Sequence, residues 1–292
     1  MKYNIKPTNH FTENYSTIFS DEPKKQITSN KKNKRTCRFC GLTSNETAFT
    51  NISHAIPESI GNKNIICVEE CDNCNKHFSE YVEVHFDKYT KPYRNISQIK
   101  GKNKVPSYKT KSKNARIDSA NNILQVKANY KDNILFDDSL NNRIILKYEL
   151  EPYIPEAVYK TFVKMALSVM PSSELKNFKE AIRWIMEKEH TNSLGIQLPI
   201  IISFIPELKK SPTVILLKRK IHINHPTWVF IVGFGNMSYQ IILPDSLLLN
   251  NCTNEMITTK IMYHNCEEIQ LQNFANSNTI KNEILFFPLS YE

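Results

Sequence analysis

The sequence predicts an α+β chain: a small cysteine-rich unit followed by a larger α+β domain with a mainly antiparallel sheet. Three observations predict it. Five of the seven cysteines fall in one short segment, and four of them, at positions 37, 40, 71 and 74, form two close pairs. Two amphipathic helical patterns lie near the middle of the chain. Short β-rich runs separated by polar turns follow them, with no internal repeat.

The bulk numbers exclude several classes. Of 292 residues, 40% are hydrophobic and 10% aromatic, so the chain can bury a core and is not disordered as a whole. A net charge of +9 favours polyanionic partners, nucleic acid ahead of an anionic membrane. Residues 1–15 are polar and lack the apolar centre of a signal peptide. The most apolar stretches, 198–205 and 228–232, are too short to cross a bilayer, so the expectation is a cytoplasmic protein without membrane contact. In a reducing compartment, seven cysteines argue against a disulfide framework and for metal binding wherever the spacing suits it.

In chain order, residues 1–35 read as a flexible basic leader, whose end carries Lys32, Lys34 and Arg35 as phosphate contacts. Residues 36–96 form the compact cysteine unit. Residues 97–116 read as a basic linker, with Lys100, Lys102 and Lys104 as further nucleic-acid contacts. Residues 117–292 form the larger domain. Its strands are expected at 122–130 and 143–150. Pro155 suits the first turn of a helix to about Met170, with Val158, Phe162, Met165, Ala166 and Val169 on one face. A second helix, about 173–188, sets Leu175, Phe178, Ile182 and Ile185 at helical spacing, with Ser172 or Ser173 as its cap. Strands follow at 200–204, 213–223, 228–234, 239–243, 256–263 and 283–287, with 233–237 as a hairpin turn.

The strongest chemical signal is the pair of knuckles Cys37-Arg-Phe-Cys40 and Cys71-Asp-Asn-Cys74. Each knuckle is a tight turn offering two thiolates to one ion, and two knuckles complete a tetrahedral zinc site. Such a site substitutes for the core that so small a segment cannot build. Cys67, Cys252 and Cys266 lack partners at this spacing and read as buried apolar residues. His222 and His225, and His264 with Cys266, have no third ligand nearby and read as surface positions. Tyr153, Tyr159, Phe162 and Trp184 read as core aromatics.

Between the knuckles stand His54-Ala-Ile-Pro57-Glu58-Ser-Ile-Gly61, and Asn75 directly follows Cys74. This pattern resembles the HNH endonuclease family, in the branch whose ββα-metal fold is held by a four-cysteine zinc. The resemblance covers about a fifth of the chain, residues 36–94, and implies a metal-dependent DNA endonuclease. It implies His54 as general base and a divalent Mg2+ or Mn2+ ion with one ligand beside the histidine and another on the motif helix, the latter role falling on Asn75. Asn62 and Asn64 both lie where the family's middle asparagine orients the histidine through its carbonyl, and the reading leans to Asn64. The family's carboxylate before the histidine is here Ser53, a weak neutral ligand. Glu83, eight residues after Asn75 on the expected helix, is the best replacement, ahead of His77 and His85. Glu58 reads as an exposed carboxylate. The layout also resembles bacterial defence effectors, which implies gating of the nuclease by residues 117–292 through dimerisation, a regulatory partner or a ligand. The alternative is a zinc-stapled nucleic-acid-binding or regulatory protein with a degenerate, non-catalytic site.

Overall fold

The computed structural model describes residues 8–20, 35–120, 123–220, 225–251, 260, 262 and 269–290. It begins with α1 (Asn9–Asn14) running into β1 (Tyr15–Ser20). The cysteine unit comes next, mostly turns, ending in three consecutive helical stretches: α2 (Asp72–His77), one π-helical turn (Phe78–Val82) and α3 (Glu83–Ile96). Then follow β2 (Tyr108–Lys109), β3 (Arg116–Ala120), β4 (Ile123–Lys127), β5 (Leu135–Asp138) and β6 (Arg143–Glu149). Two helices, α4 (Pro155–Val169) and α5 (Lys179–Ile185), lead into the long strands β7 (Pro199–Arg219) and β8 (Trp228–Ile242). The chain finishes with α6 (Ser246–Asn251), β9 (Ile269–Asn273) and β10 (Ile284–Ser290). Among the described residues the strands form antiparallel sheets in the orders β1-β7-β8 with β9 also on β7, β10-β6-β5, and β2-β3-β4.

The expected α+β class holds, with a small N-terminal unit ahead of a larger sheet-rich part. What joins them is α4. Its strand-breaking Pro155 sits in the first turn, where a missing N–H costs nothing. Every residue from Pro155 to Val169 is buried, including Glu156, Lys160 and Lys164. Phe162 of α4 meets both Phe86 of α3 and Tyr239 of β8. A single cluster of buried side chains therefore runs from Cys37 through α4 to Phe274.

Several stretches differ from the sequence expectation. Part of the leader is structured: β1 pairs with β7 from Tyr15 opposite Arg219 to Ser20 opposite Ile215. Its two anchors, Phe11 and Tyr15, pack on Leu217, Val229 and Ile231. Two aromatics in a polar segment are too few to give a periodic signal, and the long partner strand supplies the rest. The expected linker also takes part in the structure. Ile99, Tyr108 and Ala115 are buried, and β2 pairs with β3, so basic side chains there ride on an anchored backbone.

The second expected helix is shorter than 173–188. A 3-10 turn (Leu175–Phe178) precedes α5, and neither Ser172 nor Ser173 caps it, because buried Phe178 turns the chain against Trp228. Residues 233–237 are no hairpin turn; they lie inside β8, and the irregularity falls across from them, in β7 between Phe204 and Thr213. Gly235 takes φ +59°, and a Cβ there would collide with the Ser97 side chain. The expected strand at 256–263 lies almost entirely outside the described residues, as do His222, Cys252, His264 and Cys266.

Candidate functional site

The cysteine unit has two ends. At one, the first knuckle turns tightly, with Gly41 N donating to Cys37 O at 2.9 Å, and Cys71 caps α2. The four sulfurs of Cys37, Cys40, Cys71 and Cys74 lie within 4.8 Å of one another. Cys37 Sγ–Cys74 Sγ and Cys40 Sγ–Cys71 Sγ are each 3.7 Å. A tetrahedron with Zn–S bonds of about 2.3 Å has S–S edges of about 3.8 Å, so the geometry fits a zinc ion closed by four thiolates. The crowding has an electrostatic signature. The hydrogen-bonded contact between the two sulfurs holds the Cys37 thiol down to about 4 and pushes Cys74 up. Burial raises Cys40 to about 11. Four thiolates this close need a cation between them. Cys67, by contrast, is buried away from the cluster, its thiol raised to about 11 by burial, and is a core residue as expected.

At the other end stands His54. Residues 53–55 and 65–67 form a short two-stranded ribbon: His54 bridges Ile66, Ala55 N donates to Ile65 O at 3.1 Å, and Cys67 N to Ser53 O at 2.8 Å. Alternation along this ribbon decides what faces out. Ser53 and Ala55 are buried, whereas His54 keeps a quarter of its side chain exposed. The loop between the strands is closed by Asn62, whose side chain is almost fully buried. Its Nδ2 donates to Ile56 O at 2.6 Å and Ile65 O at 2.9 Å, and its Oδ1 accepts from Asn64 N at 3.1 Å and Ile65 N at 2.9 Å. At the bottom of this loop Gly61 takes φ +90°, and its missing Cβ leaves room for Lys210 O of β7.

This geometry bears on the two asparagines. Asn62 lies against the histidine, Nδ2 to His54 Nδ1 at 3.4 Å, while the Asn64 side chain points to solvent. Of the two asparagines, Asn62 is the one that lies against the ring. Its carbonyl does not face the ring, being taken up by two backbone N–H groups, and the 3.4 Å contact is too long to fix the ring's tautomer. Sequence spacing could not separate the two positions; the burial of one could.

One carboxylate stands beside the ring. Glu58 Oε2 is 3.9 Å from His54 Nε2, and Glu58 Oε1 accepts from Lys63 Nζ at 2.8 Å. The Glu58 read as a plain exposed carboxylate thus stands over the histidine. The lysine holds its carboxyl below the usual range. Burial lowers the His54 pKa, opposed by Glu58 and reinforced by Lys164 and Lys63. The ring is therefore neutral near pH 7 and able to accept a proton.

The expected metal ligands are distributed unevenly. Asn75 is the fourth residue of α2 rather than its cap, half-buried, with no side-chain hydrogen bond among the described residues. Glu83 opens α3, after the π-helical turn has inserted an extra residue into the helical phase. It acts electrostatically on His54 but is also ion-paired with Lys164 Nζ at 3.1 Å. His77 packs on Phe78 and Tyr81, and His85 accepts from Ile154 N at 3.1 Å beside His190. Glu58, Glu83 and Asn75 carry oxygens of the kind a hard divalent ion takes, each carboxylate already paired with a lysine, and among the described residues the four cysteines are the clustered metal-ligating group.

Sequence reasoning missed Lys164, a lysine that an amphipathic reading of α4 would send to solvent. Its Nζ donates to His54 O at 2.8 Å and pairs with Glu70 Oε2 at 3.3 Å as well as with Glu83. Of the basic residues expected on nucleic acid, Lys100, Lys102 and Lys104 are exposed beside the Glu58–Lys63 loop, where Lys63 Nζ donates to Gly101 O at 3.1 Å. Arg35 instead stacks on Phe49 and donates to its carbonyl, and Lys32 and Lys34 lie outside the described residues. Among the described residues, no helix is long and apolar enough to cross a membrane.

Neither comparison with curated proteins nor comparison with solved structures yields a match. The two knuckles, the histidine ribbon between them and the helix behind them coincide with one family: residues 37–90 match the HNH endonuclease model, and over those residues the chain carries an HNH domain.

Proposed function

We propose that the chain is a divalent-metal-dependent endonuclease that hydrolyses DNA phosphodiester bonds, with His54 as general base. The observation that carries this reading is a neutral, partly exposed histidine on a ribbon locked by Asn62 and flanked by Glu58, inside an HNH domain. Phosphodiester hydrolysis needs water deprotonated, charge offset on the phosphorane and the leaving oxygen protonated. His54 takes the water proton, and Glu58 stabilises the imidazolium that forms. Glu58, Glu83 and Asn75 would hold a Mg2+ or Mn2+ ion, which when bound offsets charge on the phosphate and leaving oxygen. Lys100, Lys102 and Lys104, beside the loop that carries Glu58, would bind backbone phosphates. Zn2+ on Cys37, Cys40, Cys71 and Cys74 is structural.

The test is plasmid cleavage with Mg2+ or Mn2+ by wild type and His54→Ala. Cleavage that survives in His54→Ala removes this residue from the mechanism. One observation favours a second reading, a zinc-stapled DNA-binding protein without catalysis: Ser53 is buried and Glu83 is engaged by Lys164. Absence of wild-type cleavage, with zinc content and DNA binding intact, would select that reading.

For the whole chain we propose a cytoplasmic host-defence effector whose nuclease is gated by the C-terminal part, through self-association or a bound regulator. The continuous core means that deleting 117–292 would strip the HNH domain of α4, so gating is tested on the full chain. Cleavage by the purified protein at a constant, unregulated rate would sink the gating. Equal phage plaque counts with wild type and His54→Ala would sink the defence role.

A further inference from the structure

Lys164 is supplied by α4, outside the residues that match the family, yet among the described residues the polar contacts of its ammonium fall on the HNH domain. Its ammonium reaches the main chain of the histidine itself, His54 O at 2.8 Å, the carboxylate of Glu83 at 3.1 Å and that of Glu70 at 3.3 Å. The Phe78 ring of the π-helical turn covers it, with the ammonium 5.6 Å from the ring centroid. The side chain is 1% exposed. An ammonium in such a place is expensive, and apolar residues of similar size would pack there with equal or greater stability. Its three acceptors are the ribbon carrying His54, the segment leading to the second knuckle and the first turn of α3. These are the parts of the HNH domain that must keep a fixed spacing for His54 and Glu83 to act on one phosphate.

α4 is itself registered against the zinc end. Arg38, inside the first knuckle, donates to the carbonyls of Ser168 at 2.9 Å and Met170 at 3.2 Å, and also to Leu167 O, at the C-terminal end of the helix. Arg38 also pairs with Glu69 at 2.7 Å, next to Glu70. The helix is thus pinned at its end by the knuckle, one turn beyond Lys164, and Lys164 transfers that register to the histidine ribbon. We infer that Lys164 is a positioning residue of the nuclease centre, which makes α4 an integral third part of the site rather than a neighbouring scaffold. This rests on the nuclease reading above.

The test uses the full-length chain in four forms: wild type, Lys164→Met, Lys164→Arg, and Lys164→Met combined with Glu70→Gln, which removes the carboxylate the first change would strand. Zinc content and melting temperature report the fold. Steady-state plasmid cleavage in Mg2+ reports kcat and KM, and amide hydrogen exchange at Ala55 and Cys67 reports the ribbon. The expected result is one zinc per chain in the double variant, kcat lowered by about 10- to 100-fold with KM little changed. Lys164→Arg, keeping the charge, should recover part of that loss. Exchange at Ala55 and Cys67 should accelerate about tenfold in both neutral variants.

Wild-type kcat with wild-type exchange in the double variant would overturn the inference. So would loss of zinc in both neutral variants, which would make Lys164 a purely structural ion. If the wild type itself does not cleave, the nuclease reading fails and exchange alone decides the positioning role. Unchanged exchange then overturns it, and accelerated exchange supports it.

Discussion

The two ends of the HNH domain are built on opposite principles. At the cysteine end, all four thiols come from two short segments, and the sulfurs stand at a spacing that fits a tetrahedral zinc ion. At the histidine end, no adjacent pair of residues makes the site. His54, Asn62, Glu58 and Glu83 converge from a ribbon, a loop and a helix, and Lys164 ties that ribbon and helix together from 110 residues away. The first arrangement is local and tolerates whatever surrounds it. The second depends on how α4 packs. The cysteine end can therefore form from local turns, whereas the histidine end takes a contact from far along the chain.

Removing zinc should produce the largest effect and break the comparison at its firm side. Metal binding in such sites contributes about 10–16 kcal/mol of apparent folding free energy. Cys71→Ala, or a strong chelator, should unfold residues 37–90 and lower the melting temperature of the whole chain, because the core is continuous through α4. Circular dichroism with zinc analysis checks this, and an unchanged melt would mean that the domain holds without metal. Next in size is His54→Ala, expected to cost about 10²- to 10⁴-fold in kcat while leaving the melt nearly unmoved, since the side chain is partly exposed.

The asparagines sharpen the comparison at smaller scale. Asn62→Ala removes four hydrogen bonds and strands buried backbone groups, for a loss of about 2–4 kcal/mol. Asn64→Ala, at an exposed side chain, should stay within about 0.5 kcal/mol. Urea unfolding of the two variants decides; equal losses would mean that the buried hydrogen bonds of Asn62 do not hold the loop.

The smallest effect is in pH. Burial lowers the His54 pKa below its ordinary 6.5, with Lys164 and Lys63 acting in the same direction and Glu58 and Glu83 against. A base works when unprotonated, so the acid limb of kcat/KM should have its midpoint below pH 6.5. Glu58→Gln removes an opposing charge and should move that midpoint further down. A midpoint at or above pH 7 would mean that another group controls the limb.

Much of this was readable in the residues. Two knuckles in one segment require only that each turn be tight, and turns are local. Pro155 and the spacing of Val158, Phe162, Met165 and Ala166 likewise gave α4 its bounds, because helix period and start signals act over a few residues. Runs such as 200–204 and 213–223 were recognisable as strand, but their merger into one strand with an irregularity was not. That irregularity is set by Gly61 and Gly235 making room for Lys210 and Ser97, contacts between segments far apart in sequence.

Residue type at short spacing was enough to pick out the two cysteine knuckles, the histidine between them and the α+β class. Only the tertiary structure decided which asparagine meets His54, that Glu58 stands over it and that Lys164 anchors it. Those depend on which side chains are buried together. An ammonium on a helix gives no local sign that the helix will be covered on every face.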